Sequence, residues 1–434
     1  MDDDLIDETG MARSRYTRLP GKGFFYPDSL DEDRAEQRAK ETVEDAEAVV
    51  IADGDADGLA CAAMIRETYD AALDVADFEA DIADRLAAEL GEDGEDEADE
   101  NEAESDDEDA DDETDADDAH TRSSVALLAA GPYSIDDSLE RVLEYADDGI
   151  DLFVCDLCPD DYEWIAEPLE GLVEKADAVR WFDHHQWDDD TAAAVRDAGV
   201  DLVVGDSDEE CTADVALRSL DHEFGPRWAE LAEVTRDHDL WLKEDPRSDD
   251  LADYSYWTGA EEYTTVVGAY GADLPVTVHD FLEHRRVEKQ ARIDAAVDRA
   301  VTHEIGEWTI AVTYGRCSQN EVAETLREAG ADGAVIVKPA GSASIRGSED
   351  FRHAHEVAGK VNGGGHPQAA GCKPDIYDDM LDYAHHWTTE GQACKRVILA
   401  AFEDVAAQVA AEEGEENEEA EEATEEDDED ENEE

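Results

Sequence analysis

Apolar residues along this 434-residue chain recur in two rhythms. Short unbroken runs, too brief for helices, alternate with longer stretches where apolar positions return every three or four residues. The runs at 46–52 (AEAVVIA), 125–129, 152–155, 178–182 and 200–204 predict buried strands. The stretches 59–72, 136–145, 164–176, 191–198, 212–222 and 227–236 predict helices. Strands alternating with helices imply crossover connections, so the expected fold is α/β with a doubly wound parallel sheet. A polar extension with a helix over 31–45 precedes it. A long stretch with few breakers, 278–303, predicts a connecting helix. Beyond it, strand 308–312, helix 319–328, strands 333–338 and 342–346, a glycine-rich run at 362–371 and a last helix over 394–411 predict a second, smaller α/β domain. There is no internal repeat.

Composition adds boundaries. Residues 92–118 hold 19 acids and no base, and residues 412–434 hold 17 acids and no base. Neither segment has the apolar residues to fold alone, so the first predicts a disordered surface insertion and the second a disordered tail. The expected organisation is an extension at 1–45, a catalytic domain at 46–245 with its insertion at 91–119, a helical connector at 246–303, a second domain at 304–404 and a tail at 405–434. These two segments hold 36 of the 122 acids and none of the 33 bases, so the formal charge of -89 falls only to -53 without them. Acid spread along the whole chain, with nine lysines, predicts a halophilic source. Molar salt shortens the screening length to ~3 Å and removes the self-repulsion. The global sign therefore does not exclude a nucleic-acid partner.

Seven cysteines, an odd number, in a chain this long argue against a disulfide framework. Cys155 and Cys158 have CxxC spacing without a second pair, so buried thiols are expected rather than a zinc site. No apolar run reaches membrane-spanning length, and the acidic start is unlike a signal peptide. The expectation is a cytoplasmic protein without a membrane partner.

Candidate chemistry sits at strand ends. Asp53-Gly54-Asp55-Ala56-Asp57-Gly58 follows the first strand directly. Its carboxylates repel one another unless a cation neutralises them, the plainer reading being a solvated acidic turn. Asp156 ends the strand at 152–155, and Asp183-His184-His185 ends the one at 178–182. Asp237 and Asp239 close a helix. Carboxyl ends of neighbouring parallel strands share one crevice. Four segments thus direct Asp and His to one place, and carboxylates with an imidazole suit Mn²⁺ or Mg²⁺ better than zinc.

These motifs, in this order, resemble the DHH phosphoesterase superfamily. Gly363-Gly364-Gly365-His366-Pro367-Gln368-Ala369-Ala370-Gly371 is similar to the GGGH motif of its DHHA1 partner domain. The resemblance implies two domains with a cleft between them and a centre of two Mn²⁺ or Mg²⁺ ions that activates water. It implies Asp53, Asp55, Asp156, His184 and Asp237 as ligands, with Asp239 a rival to Asp237. It gives His185 to the scissile phosphate or the leaving group, leaves Asp183 to orient an imidazole or bridge metals, and makes Asp57 a ligand or a supporting acid. In the second domain it implies Arg346, Gly364, Gly365 and His366 as the phosphate-binding set. Asn362, where relatives carry another glycine, tolerates the left-handed backbone.

His284, Arg285, Arg286, Lys289, Arg292 and Arg299 crowd the connector. They form either a backbone track for nucleic acid or ion pairs with Glu283, Glu288, Asp294 and Asp298. The function expected is a RecJ-like exonuclease on single-stranded DNA or RNA, of the compact archaeal kind, with a replication or repair complex as partner. The same chemistry on short oligonucleotides, as an oligoribonuclease, a 3′-phosphoadenosine phosphatase or a cyclic-dinucleotide phosphodiesterase, is the alternative. A catalytically inactive replication scaffold ranks below both, since such relatives lose the metal-binding acids.

Overall fold

The structure is a computed structural model that describes residues 28–90, 122–132, 134–159, 161–376 and 380–430. The first part of the extension and the acidic insertion lie outside the described residues. In chain order the elements are α1 (Asp28–Val43), β1 (Ala48–Asp53), α2 (Ala56–Thr68), α3 (Val75–Leu90), β2 (Val125–Ala130), α4 (Ile135–Tyr145), β3 (Asp151–Cys155), α5 (Tyr162–Lys175), β4 (Ala178–Asp183), α6 (Asp189–Asp197), β5 (Asp201–Val204), α7 (Thr212–Ser219) and α8 (Pro226–Asp239). They continue as α9 (Arg247–Trp257), α10 (Ala260–Tyr270), α11 (Val276–Asp298), β6 (Val301–Ile305), β7 (Trp308–Tyr314), α12 (Gln319–Glu328), β8 (Gly333–Val337), β9 (Ala343–Gly347), α13 (Ala354–Gly359), β10 (Gly363–Gly365), β11 (Ala369–Cys372), α14 (Met380–Thr388) and α15 (Gln392–Asp430).

The first five strands form one parallel sheet in the order β2-β1-β3-β4-β5. Both faces are covered, which is why its strands read as continuous apolar runs. In β1, Ala48, Val50 and Ala52 face one core with Leu59 and Met64 of α2, while Val49 and Ile51 face the other with Leu139 and Leu169. From β1 the chain moves outward to β2 and then back past it to β3. Crossovers on opposite sides open a crevice at the carboxyl ends of β1 and β3, where such sheets bind ligands.

The chain divides into two compact units, one ending at Arg285 and the other running on from Arg286. This corrects the expected connector at 246–303. Tyr254, Tyr263, Val266, Val267, Val278 and Phe281 are buried in the same core as Leu59, so α9, α10 and the start of α11 belong to the first unit. The expected helix over 278–303 also stops at Asp298, and its end is the edge strand β6. The second unit is a mixed six-stranded sheet, β10-β11-β9-β8-β7-β6, with β7 and β8 parallel. Its faces pack against α11 and α12 on one side and α13 and α15 on the other. The last helix continues past 411 to Asp430, through alanine- and glutamate-rich sequence of high helix propensity.

Candidate metal centre

The turn after β1 is built by its own acids. Asp55 caps α2, its Oδ1 accepting from Asp57 N at 3.0 Å and Gly58 N at 3.2 Å. This is an ordinary N-cap, and it leaves Oδ2 for another partner. Gly58 is required here: a Cβ would lie 2.4 Å from the carbonyl oxygen of Asp53. Asp57 is 2% exposed and points away from solvent. Its Oδ2 accepts from Thr212 N at 2.6 Å and its Oδ1 from Ala213 N at 2.8 Å. Both amides belong to the first turn of α7, so the carboxylate meets the positive end of that helix.

Asp156, 3% exposed, follows β3 with φ +61°. An aspartate tolerates this left-handed conformation, which recurs at functional turns. Its amide donates to Phe182 O at 3.0 Å, and its Oδ1 accepts from Thr212 Oγ1 at 2.8 Å. Asp183 is fully buried and saturated. Its Oδ1 accepts from His184 N, His185 N and His185 Nδ1, and its Oδ2 accepts from Trp187 Nε1 at 2.9 Å. Asp183 therefore shapes the turn and orients His185. The bond to Nδ1 leaves Nε2 of His185 to meet an outside group.

His184 turns inward. Its Nε2 lies 3.7 Å from Asp156 Oδ1 and 3.3 Å from Asp239 Oδ2. Asp239 Oδ2 is buried and accepts no hydrogen bond among the described residues. Asp156, His184 and His185 have ligand atoms mutually close enough for one cation, as do Asp57, His184 and Asp239. Asp237 is committed elsewhere: its Oδ1 accepts from Glu244 N at 2.8 Å and its Oδ2 from Ser248 Oγ at 2.7 Å. Of the two acids that close α8, Asp239 joins the cluster and the expected ligand Asp237 holds the following loop.

Charge crowding follows from this packing. Burial, then the neighbouring Asp55, pushes Asp53 up to about 7. Burial and Asp55 push Asp239 up to about 7 as well. Burial, with Asp239 beside Asp57 and Asp57 beside Asp156, drives Asp57 and Asp156 well above the carboxylate range. Burial works against Asp183 too, but the hydrogen bond and charge of His185 hold it low. His185 gains in exchange: against burial, Asp183 raises it to about 9, so it is an imidazolium at neutral pH. Burial and that positive neighbour lower His184, which suits a neutral ligand.

The donor set fits a divalent cation. A buried carboxylate oxygen without a donor, a neutral imidazole and several crowded acids make a site that a hard cation with one nitrogen ligand completes. Sequence reasoning missed Thr212 and Trp187. Thr212 opens a helix, where a hydroxyl and free amides collect, but nothing local ties it to acids at positions 57 and 156. Trp187 packs edge-on against Trp181 with centroids 5.4 Å apart.

In the second unit the glycine run is a hairpin. A Cβ at Gly363 would lie 2.1 Å from Gly371 O, and Gly365 has φ +135° with Ala369 O at 2.6 Å. Gly364 is exposed with open space around it, and Asn362 is left-handed with φ +53°. His366 and Ala369 exchange backbone hydrogen bonds across the turn. Arg346 Nε donates to Asn320 Oδ1 at 2.9 Å and Nη1 to the carbonyls of Ile345 and Ala370. It forms no ion pair with an acid among the described residues. On α11 the cations mostly pair: His284 and Arg285 with Glu89, Lys289 with Glu321 and Arg292 with Glu288. Of these acids Glu288 was an expected partner, while Glu89 and Glu321 come from α3 and α12.

No protein-family model matches the sequence, and no curated protein matches it. Among solved structures, the chain is similar to the exonuclease RecJ bound to manganese, at 16% identity and TM-score 0.46, covering 86% of this chain and 94% of that one. It is similar to RecJ from Thermus thermophilus in complex with Mn²⁺, at 16% identity and TM-score 0.48, covering 86% and 54%. A pGpG-specific phosphodiesterase, PggH from Vibrio, is similar at 10% identity and TM-score 0.41, covering 81% and 98%.

Proposed function

We propose that the chain is a DHH-type, divalent-metal-dependent phosphodiesterase that hydrolyses single-stranded nucleic acid as a RecJ-like exonuclease. The observation that carries the reading is the convergence of His184 Nε2 on Asp156 Oδ1 and Asp239 Oδ2, at 3.7 and 3.3 Å, beside the crevice of the parallel sheet. Asp53, Asp55, Asp156, His184 and Asp239 are the proposed ligands, with Asp57 fixing the turn through α7. When bound there, a pair of Mn²⁺ or Mg²⁺ ions supplies Lewis acidity and a water activated for in-line attack on phosphorus. Asp183 keeps the proton of His185 on Nδ1, so the imidazolium presents its Nε2–H to a phosphate oxygen or the leaving oxygen. Thr212 holds Asp156 in place through its hydroxyl. In the second unit Arg346, His366 and the open backbone at Gly364 and Gly365 are the proposed contacts to a substrate phosphate.

The test is a time course on end-labelled single-stranded DNA and RNA of several lengths, with Mn²⁺ in molar KCl. Stepwise shortening that Asp156→Asn abolishes supports the exonuclease. Hydrolysis of dinucleotides with long strands untouched would replace it by the oligonucleotide phosphodiesterase. No turnover of any phosphodiester would refute the enzyme.

A further inference from the structure

The turn that ends α8 carries a residue its backbone does not want. Trp241 N donates to His238 O at 2.9 Å and Leu242 N to Asp237 O at 2.8 Å. This is the Schellman ending of a helix, whose left-handed position is normally glycine. Here that position is Trp241, with φ +57°. Two residues on, Lys243 is also left-handed, with φ +57°, outside the motif. Left-handed backbone is uncommon at bulky residues, so capping explains the geometry but not the tryptophan. Asp237 spends Oδ1 and its carbonyl on this loop and Oδ2 on Ser248 in the first turn of α9.

What the loop displays is chemically specific. Lys243 Nζ sits 4.0 Å from the centroid of the Trp241 ring, and His238 packs edge-on at 5.4 Å. Leu242 between them is 51% exposed. Trp241 lies two residues after Asp239, whose Oδ2 faces His184. An aromatic face with an ammonium beside it, next to a phosphodiester site, matches one repeating unit of a single strand: a base to stack and a phosphate to neutralise.

Building on the nuclease reading above, we propose that Trp241 is a stacking platform for the nucleobase of a nucleotide next to the scissile phosphate, with Lys243 meeting an adjoining phosphate. Stacking any π-face explains how a site could take strands of mixed sequence. The strain at Trp241 is retained because glycine would serve the cap but not the base.

That contrast supplies the test. Trp241→Gly restores the favoured cap residue, so the variant melts no lower than the parent. Steady-state kinetics are measured on a short single-stranded oligonucleotide and on the same strand with abasic nucleotides at both ends. For the parent, KM is lower on the strand with bases. Trp241→Gly raises KM on that strand by roughly 5- to 150-fold, the range for one stacked base, and leaves KM on the abasic strand within about twofold. Trp241→Phe recovers most of the loss. Equal loss on both strands, or no loss on either, overturns the platform while the nuclease reading stands. A parent that cleaves neither strand defeats the nuclease reading and the platform with it.

Discussion

The crowded acids make a thermodynamic prediction that does not need the substrate. A carboxyl whose value is raised in the fold ionises more readily in the unfolded chain, so ionisation favours unfolding. For Asp53, moved from 3.8 to about 7, the penalty is absent below about pH 4 and complete above about pH 7, where it reaches roughly 4 kcal/mol. Asp239 shares the same crowding, so we count the pair once. A cation that offsets this repulsion binds the fold and not the unfolded chain. At a thousandfold excess over Kd it adds about 4 kcal/mol, or roughly 8–16 °C for a unit of this size. The assay is thermal melting of the full chain, with and without Mn²⁺, in about 1 M KCl to screen surface acids. At about pH 7.5 the increment should be full. At about pH 5 the acids hold protons the cation must displace, and the increment should shrink to a few degrees. Asp156→Asn and Asp239→Asn should abolish it. An increment equal at both pH values, or intact in both variants, would refute the reasoning.

Asp237→Ala should lower stability by about 1–3 kcal/mol, because Ser248 Oγ and Glu244 N lose their acceptor, yet keep most of the Mn²⁺ increment in the same melts. Gly58→Ala should cost at least 1–3 kcal/mol and most of the activity, since its Cβ meets Asp53 O at 2.4 Å; parental melting and turnover would contradict that. Because His185 holds its proton up to about 9, kcat/KM should fall on an alkaline limb near that value. Asp183→Asn, which removes the cause, should move the limb toward the ordinary histidine range, and an unmoved limb excludes His185 as its source. The acid surface predicts unfolding in dilute buffer that molar KCl reverses; circular dichroism showing full structure without salt would rule that out.

The sheet was legible because its strands are buried on both faces and bounded by turns. The site was legible because strand ends in such a sheet converge. What was not legible depends on direction or distance. Asp237 and Asp239 are two residues apart at a helix end, about 200° around the axis, so only one can face the site. Both read alike as acids. Thr212 binds Asp57 across 155 residues of sequence, and no local pattern encodes that. The strand β6 was absorbed into a helix because its residues Val301, Thr302 and Glu304 are exposed on an edge, which blurs the apolar run. Helices α9 and α10 lay inside the expected helical connector but were not read as core elements, because tyrosine, threonine and serine supply much of their buried surface.

In a chain with 122 acids, acid content cannot mark a site; compensation can. Asp183, Asp57 and Asp156 are at most 3% exposed, so each must be neutralised by something. Asp183 has two backbone amides, an indole and an imidazolium. Asp57 has two amides at a helix start. Asp156 has one hydroxyl hydrogen bond among the described residues, with the His184 and His185 ring nitrogens farther off at 3.7 Å. The buried Oδ2 of Asp239 accepts no hydrogen bond among the described residues. Compensation falls along this series, and the shortfall gathers around His184 Nε2. A buried anion without a partner is too costly to keep. The proposed cation site is therefore Asp156, His184 and Asp239, where the least charge is compensated, with Asp183 and Asp57 bracing the turns around it.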